Sequence, residues 1–187
     1  TLTGYGATRF NFRGKNTFLS FILMTQMFPS IMLLVPFYKI LSVYGLNNSL
    51  VGLCIVYVSF TIPFCSWMMV GYFRTIPTEI DESAAIDGAS HLQTFWKIAL
   101  PLVKPGLVSS AIYAFITCWN EYMFAAILLV NDKLKTAAVA IAEMNGYYKI
   151  AWNDMMAASL VASVPLIIAF VFMQKSFISG LTAGAVK

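Results

Sequence analysis

Four of the eight acidic side chains in this 187-residue sequence, Glu79, Asp81, Glu82 and Asp87, fall within nine consecutive positions. Carboxylates this close could share a metal ion, exchange a proton or present a recognition surface. A metal pair needs a second ligand type nearby, and His91 is the only histidine. It falls in the first turn of a short predicted helix and reads as a surface residue. The three cysteines, Cys54, Cys65 and Cys118, all lie in apolar runs at spacings that fit no metal motif, so they read as buried, inert thiols. The chain contains no Ser–His–Asp set and no G-x-x-x-x-G-K-[ST] loop, so it has no means of its own to cradle the phosphates of ATP by that route. Gly4 and Gly6 make no dinucleotide fingerprint, because they stand at an apolar helix end. Neither a cofactor nor a resident metal is expected. Two readings of the acids remain, a solvated face or a docking face for a partner.

The elements that hold these acids are two short helices. Thr78 is placed to cap the first, with Asp81 three residues on to close a capping box. Gly88 supplies a stop in the left-handed conformation. Ser90 and Gln93 repeat the box for the second helix, on which Leu92, Phe95, Trp96 and Ala99 form one apolar face. Pro101 is expected to end it. Each helix has roughly ten residues, half of the roughly 20 that a membrane crossing needs. The pair therefore predicts a helix–turn–helix outside the bilayer, flanked by segments that cross it.

Hydrophobic residues make up 59% of the chain and charged residues 11%, against about 25% charged in ordinary soluble domains. The long apolar runs predict an all-α, polytopic helical membrane protein with four spans and the remnant of a fifth. The spans run from Thr17 to about Leu41, Ser49 to Phe73, Pro105 to about Val130, and Met155 to about Phe177. Proline interrupts most of them, at Pro29, Pro36, Pro63 and Pro165. Thr1 to Asn16 reads as the end of an apolar helix followed by Arg9, Arg13 and Lys15 at a membrane surface. The stretch from Asn131 to Asn153 is polar, with an apolar patch at Thr136–Met144 too short to span. The tail Ser179–Lys187 is small and flexible in composition.

Placing the acidic loop in the cytoplasm puts Arg9, Arg13, Lys15, Arg74, Lys97, Lys104, Lys175 and Lys187 inside. It leaves Lys39, Lys133, Lys135 and Lys149 outside, and the positive-inside rule favours that orientation. The basic residues are scattered at the ends of apolar runs, which excludes a nucleic-acid-binding patch. Three polar groups within the spans are candidate pathway residues. Gln26 suits an interhelical hydrogen bond or a solute contact. Asn120 and Glu121 stand together in the third span, with Glu121 roughly 24 Å along a helix counted from Pro105. That depth suits either the wall of a water-filled cavity or the outer headgroups, where Trp119 and Tyr122 would belong.

Glu82, Gly88, Ile98, Leu100 and Pro101 follow the spacing E-A-A, three residues, G, nine residues, I-x-L-P. This resembles the signature loop of ABC importer permeases, with Ser83 standing where the first alanine is usual. Tyr5, Arg9, Phe12 and Gly14 match the Y-x-x-x-R-x-x-F-x-G segment of carbohydrate-type permeases. The W-N-E-Y stretch Trp119–Tyr122 and the tail from Ser179 also resemble that subfamily, of which the maltose-transporter permeases are the type. The resemblance implies a permease domain over residues 1–187 in a bacterial or archaeal cytoplasmic membrane, with residues 76–104 as its coupling loop. It implies four partners: an ATP-binding cassette ATPase dimer, a second and different permease chain, an extracellular solute-binding protein, and membrane lipid. Glu82 would pair with a basic residue of the ATPase, Gly88 would make the turn, and Ala84 and Ala85 would allow close packing beside Asp87. The solute would be a sugar or oligosaccharide, with a polyol or glycerol phosphate as alternative. A non-transport membrane protein is the remaining reading, and it predicts no association with an ATPase. Such permeases usually have six spans, so four and a remnant imply a chain that begins partway through.

Overall fold

The computed structural model describes residues 1–146 and 151–185, with backbone alone at 173 and 175–185. Lys149 and Lys187, counted above for orientation, lie outside the described residues. Every regular element among the described residues is helical. They are α1 (Leu2–Arg9), α2 (Lys15–Met24), α3 (Leu34–Val43), α4 (Leu50–Arg74), α5 (Glu79–Ile86), α6 (His91–Thr94), α7 (Leu100–Leu102), α8 (Lys104–Trp119), α9 (Met123–Leu128), α10 (Ala137–Glu143) and α11 (Trp152–Ala185).

Two of these helices are long and apolar enough to cross a membrane, Leu50–Arg74 and the Trp152–Phe172 part of α11. Two bent pairs, Lys15–Met27 with Ser30–Val43 and His91–Leu102 with Lys104–Trp119, bring the number of crossings to as many as four if each is one span. The expected first span is thus broken at Phe28–Pro29, with 3₁₀ turns on both sides. Proline has no N–H to donate, so the ladder stops there. Pro36 does no such damage, because it lies in the first turn of α3, where the N–H groups have no intrahelical acceptor. The expected third span is also discontinuous: α8 ends at Trp119 and α9 begins at Met123. At the other end α11 runs on through Ala185, so the helix takes in most of a tail expected to be flexible.

The chain divides into two compact units. The first comprises Thr1–Met27, Ile62–Tyr113 and Met173–Lys187, and the second Phe28–Thr61 and Ala114–Phe172. The core of the first joins Tyr5, Met69, Phe73, Ile76, Phe95, Ala99 and Val103. Phe73 is fully enclosed and Phe95 nearly so, each worth about 1.5–3 kcal/mol of apolar burial. Helix α1 reaches this core because residue 4 is glycine. A Cβ there would come within 2.8 Å of the Met69 Cβ and 2.9 Å of the Met69 carbonyl carbon.

The core of the second unit joins Leu41, Leu53, Val56, Phe124, Leu128, Leu129 and Val139. The rings of Phe37, Phe60 and Phe124 meet beside it, with Phe60 and Phe124 centred 4.9 Å apart. Val139 enters from α10, so the short apolar patch of the polar loop is a packing element. Its Lys135 is held by Asp132 and Glu143, each at 2.6 Å. None of the three cysteines is fully buried, contrary to expectation: Cys54 is exposed, Cys65 and Cys118 are half-buried, and Cys65 approaches the Ser110 carbonyl at 3.6 Å. A residue inside an apolar run need not face the chain's own core, since the lipid-facing side of such a helix is equally apolar.

Candidate functional site

The acidic helix pair lies wholly in the first unit. Helix α5 ends as expected. Gly88 takes φ +81, the Ala89 N–H reaches the Ala84 carbonyl at 2.9 Å, and the Gly88 N–H reaches the Ala85 carbonyl at 3.0 Å. Those two bonds form the Schellman arrangement that a left-handed glycine permits. The second capping box is also present, with Ser90 Oγ accepting from the Gln93 N–H and Gln93 Oε1 accepting from the Ser90 N–H.

The first capping box is absent. Thr78 has helical dihedrals and its side chain caps nothing. Asp81, the expected partner, is drawn away from the helix terminus. Its Oδ1 accepts a hydrogen bond from the Tyr5 hydroxyl at 3.1 Å, and its Oδ2 lies 2.8 Å from Arg9 Nε. Arg9 Nη2 donates in addition to the Ile76 carbonyl at 3.0 Å. An ion pair with a guanidinium outweighs the modest gain of a capping bond. The Arg9 side chain is only 8% exposed and that of Asp81 19%, so the pair is shielded from much of the screening that weakens surface pairs.

The four clustered acids therefore divide. Asp81 turns inward with Ala84, which is buried in the chain's own core. Glu79, Glu82 and Asp87 are exposed, as are Ala85 and Gly88, and no ion pair among the described residues engages those three carboxylates. Ser83 is exposed and its hydroxyl donates to the Glu79 carbonyl at 2.8 Å.

The apolar face expected on the second helix is split. Phe95 and Ala99 are buried, whereas Leu92 and Trp96 are 66% and 62% exposed, and Ile86 at the end of α5 is 87% exposed. A π turn runs over Phe95–Ala99, where the winding is wider than in an α-helix. It replaces the α-helical hydrogen-bond register just ahead of Pro101, so the helical path continues through Leu102 and breaks at Val103. From there α8 departs at 74°. His91, as expected, is exposed; its ring stands edge-on to Phe10 at 5.3 Å. No group of metal-ligating side chains occurs among the described residues.

Tyr5 and Arg9 are the first two fixed positions of the Y-x-x-x-R-x-x-F-x-G segment, but that pattern does not say that they meet Asp81. Their spacing of four residues in a helix, which places both on one face, was the available signal. Two further candidate pathway residues stand at helix ends. Glu121 stands in the break between α8 and α9, where Oε1 accepts from the Phe124 N–H at 2.9 Å and Oε2 from the Ala125 N–H at 3.1 Å. Oε2 also accepts from the Tyr57 hydroxyl at 2.9 Å. The carboxylate thus satisfies free N–H groups at the start of α9, where the helix dipole favours negative charge. The depth expected for Glu121 assumed an unbroken helix and does not apply.

Asn120 is exposed and lines a cavity of about 210 Å³ in the second unit, with Trp119, Ala137, Ser159 and Ser163 among its walls. Trp119 Nε1 donates to the Ala162 carbonyl at 3.1 Å and fixes the indole there. Gln26 lies in the first unit, exposed, in the 3₁₀ turn Thr25–Met27.

Residues 1–182 match the family described as binding-protein-dependent transport system inner membrane component. The whole chain is 38% identical to the trehalose/maltose transport system permease protein MalG of Thermococcus litoralis and covers 68% of that protein. It is 39% identical to the maltodextrin transport system permease protein MdxG of Bacillus subtilis, again covering 68% of it. It is 34% identical to the sulfoquinovosyl glycerol transport system permease protein SmoH of Agrobacterium fabrum, of which it covers 65%. In three dimensions it is similar to a chain of a bacterial ABC transporter involved in the import of alginate, with a TM-score of 0.77 at 25% identity over 93% of this chain and 66% of that one.

Proposed function

The chain belongs to the binding-protein-dependent transport system inner membrane component family, and from that premise we propose that it is the permease subunit of an importer for a sugar or oligosaccharide. The acidic helix pair is where the ATPase docks. The observation that carries this reading is the arrangement of the pair. Its inner face is locked into its own core, while Glu82, Ala85, Asp87 and Gly88 stand exposed next to Ile86, Leu92 and Trp96. Free carboxylates around large apolar side chains suit a partly basic cleft with an apolar floor.

In this reading Glu82 and Asp87 pair with basic groups of the ATPase, and Gly88 holds the turn that presents them. Ala85 lets the surfaces approach, and Ala84 serves packing within the chain. ATP hydrolysis takes place on the separate ATPase dimer. Its closure moves the docked helices as a body, and the connected spans pass between inward- and outward-open states. An extracellular binding protein delivers the solute, and a second, different permease chain completes the pathway. That chain and lipid cover α11, whose most apolar stretch has no part buried within this chain. Asn120 is the pathway residue best supported, since it borders a cavity; Gln26 and Glu121 are weaker candidates. A polyol or glycerol-linked solute is the second reading, favoured by the 34% identity to the sulfoquinovosyl glycerol permease.

Co-purification with the candidate ATPase tests the docking. Wild type should retain the ATPase, whereas Glu82→Lys and Gly88→Pro should lose it. Proline cannot adopt the φ of +81 found at Gly88. Normal binding by both variants rejects the reading. A panel of solutes offered to the binding protein separates sugars from glycerol-linked compounds.

A further inference from the structure

Of the four clustered acids, Asp81 faces away from the docking surface, and its contacts call for a different role. Helix α5 has eight residues and joins α4 through the non-helical segment Thr75–Thr78. Ile76 seats the linker in the core, but a helix this short has few contacts of its own to resist tilting under load. Its own apolar contacts with the core amount to Ala84 and the partly buried Ile80. Arg9 removes that freedom. One guanidinium holds the linker through the Ile76 carbonyl and α5 through Asp81, at 3.0 Å and 2.8 Å. Tyr5, one turn earlier on α1, takes the other Asp81 oxygen while its ring packs against Phe73 and Phe95 at centroid distances of 5.6 Å and 5.1 Å. Gly4 lets α1 lie close enough to Met69 for both side chains to reach.

We propose that Tyr5, Arg9 and Asp81 form a rigid linkage that makes α1, the Thr75–Thr78 linker and α5 a single body, so that force received at the docking surface is delivered to α1 as well as along the chain. The three are positioning residues and touch neither solute nor nucleotide. This rests on the reading that the acidic helix pair receives an ATPase. Glu82 and Asp87 then meet the partner, and Asp81 transmits the load.

The test uses the assembled transporter in nanodiscs, with native cysteines replaced and spin labels at Leu2→Cys and Ser83→Cys, both exposed positions. Distances are read with the ATPase nucleotide-free and trapped with vanadate. In the wild-type background the distribution should be narrow and the same in both states. Combining Tyr5→Phe with Asp81→Asn, which alters polar atoms and leaves the packing volume, should broaden it about twofold and make it differ between the states while ATPase retention stays at the wild-type level. Returning Asp81 in the Tyr5→Phe background, which re-forms the Arg9 pair and leaves its bond to the Ile76 carbonyl in place, should narrow the distribution again. A double variant that keeps the wild-type distances in both states overturns the linkage. So does one that changes them only in proportion to lost ATPase, because that marks a purely structural role. If the wild type itself retains no ATPase, the docking reading fails, and the linkage fails with it.

Discussion

Replacing Glu121 with alanine removes the acceptor of three hydrogen bonds at once, from the Phe124 N–H, the Ala125 N–H and the Tyr57 hydroxyl. The residues bearing the two N–H groups are buried, so little water can replace the carboxylate. Losing the cap of a helix costs about 0.5–2 kcal/mol. Polar pairs between membrane helices couple by about 0.6–1.7 kcal/mol. Together these give about 1–4 kcal/mol for Glu121→Ala. The assay is unfolding of the purified chain by SDS titration in mixed micelles, with Tyr57→Phe and the double variant completing a cycle. Glu121→Ala should cost less in the Tyr57→Phe background than in wild type, by about 0.6–1.7 kcal/mol. Glu121→Gln should be milder, since its amide oxygen still accepts one bond and its NH₂ can donate to the phenol oxygen. A shift for Glu121→Ala below about 0.5 kcal/mol, or strict additivity with Tyr57→Phe, would refute the reasoning. In either case the carboxylate would be free for another role at the break.

Gly4→Ala should destabilise the chain by about 1–3 kcal/mol through overpacking against Met69. The control Gly6→Ala, where a new Cβ meets nothing within 4 Å, should be neutral or slightly stabilising in the same titration. Asn48 has φ +54, and its Oδ1 accepts from the Val130 and Asn131 N–H groups at 3.0 Å and 2.9 Å. Asn48→Ala should therefore cost about 1 kcal/mol more than Asn48→Gly, which loses the bonds but keeps the conformation. The hydrogen bond and charge of Lys135 hold the Asp132 carboxyl below its ordinary range. A depressed folded-state value means that its contribution is present above the unfolded pKa and disappears as pH falls through the folded one. Carboxyl-carbon NMR should find Asp132 titrating lower than in a Lys135→Gln variant, and equal midpoints would contradict the contact.

The parts of this protein legible in its sequence are those set by neighbours within a few positions or by sums over a span. Hydropathy is such a sum, and it marked Leu50–Arg74 within a residue of its ends. The Ser90–Gln93 box and the Gly88 turn depend on residues at most a few positions apart, and both formed as expected. The breaks were less legible. Proline at 29 ended a helix while proline at 36 did not, because the cost depends on where the helix begins. No proline marks the break at Asn120–Tyr122; its clearest support is Glu121 capping the helix that follows, with Tyr57 on α4 as a partner that no local pattern predicts.

The acidic helix pair shows the division most sharply. Its sequence alone determined that a short, charged helix–turn–helix interrupts an apolar chain, because the caps, the glycine and the hydropathy are all local. Tertiary structure decided which of its residues face where. Asp81 left its local cap for an arginine 72 positions and a tyrosine 76 positions upstream, and Leu92 and Trp96 stayed outside while Phe95 and Ala99 went in. The physical reason is one of competing partners. A capping bond contributes about 1 kcal/mol, so an enclosed guanidinium and a filled aromatic core outbid it wherever the fold brings them within reach.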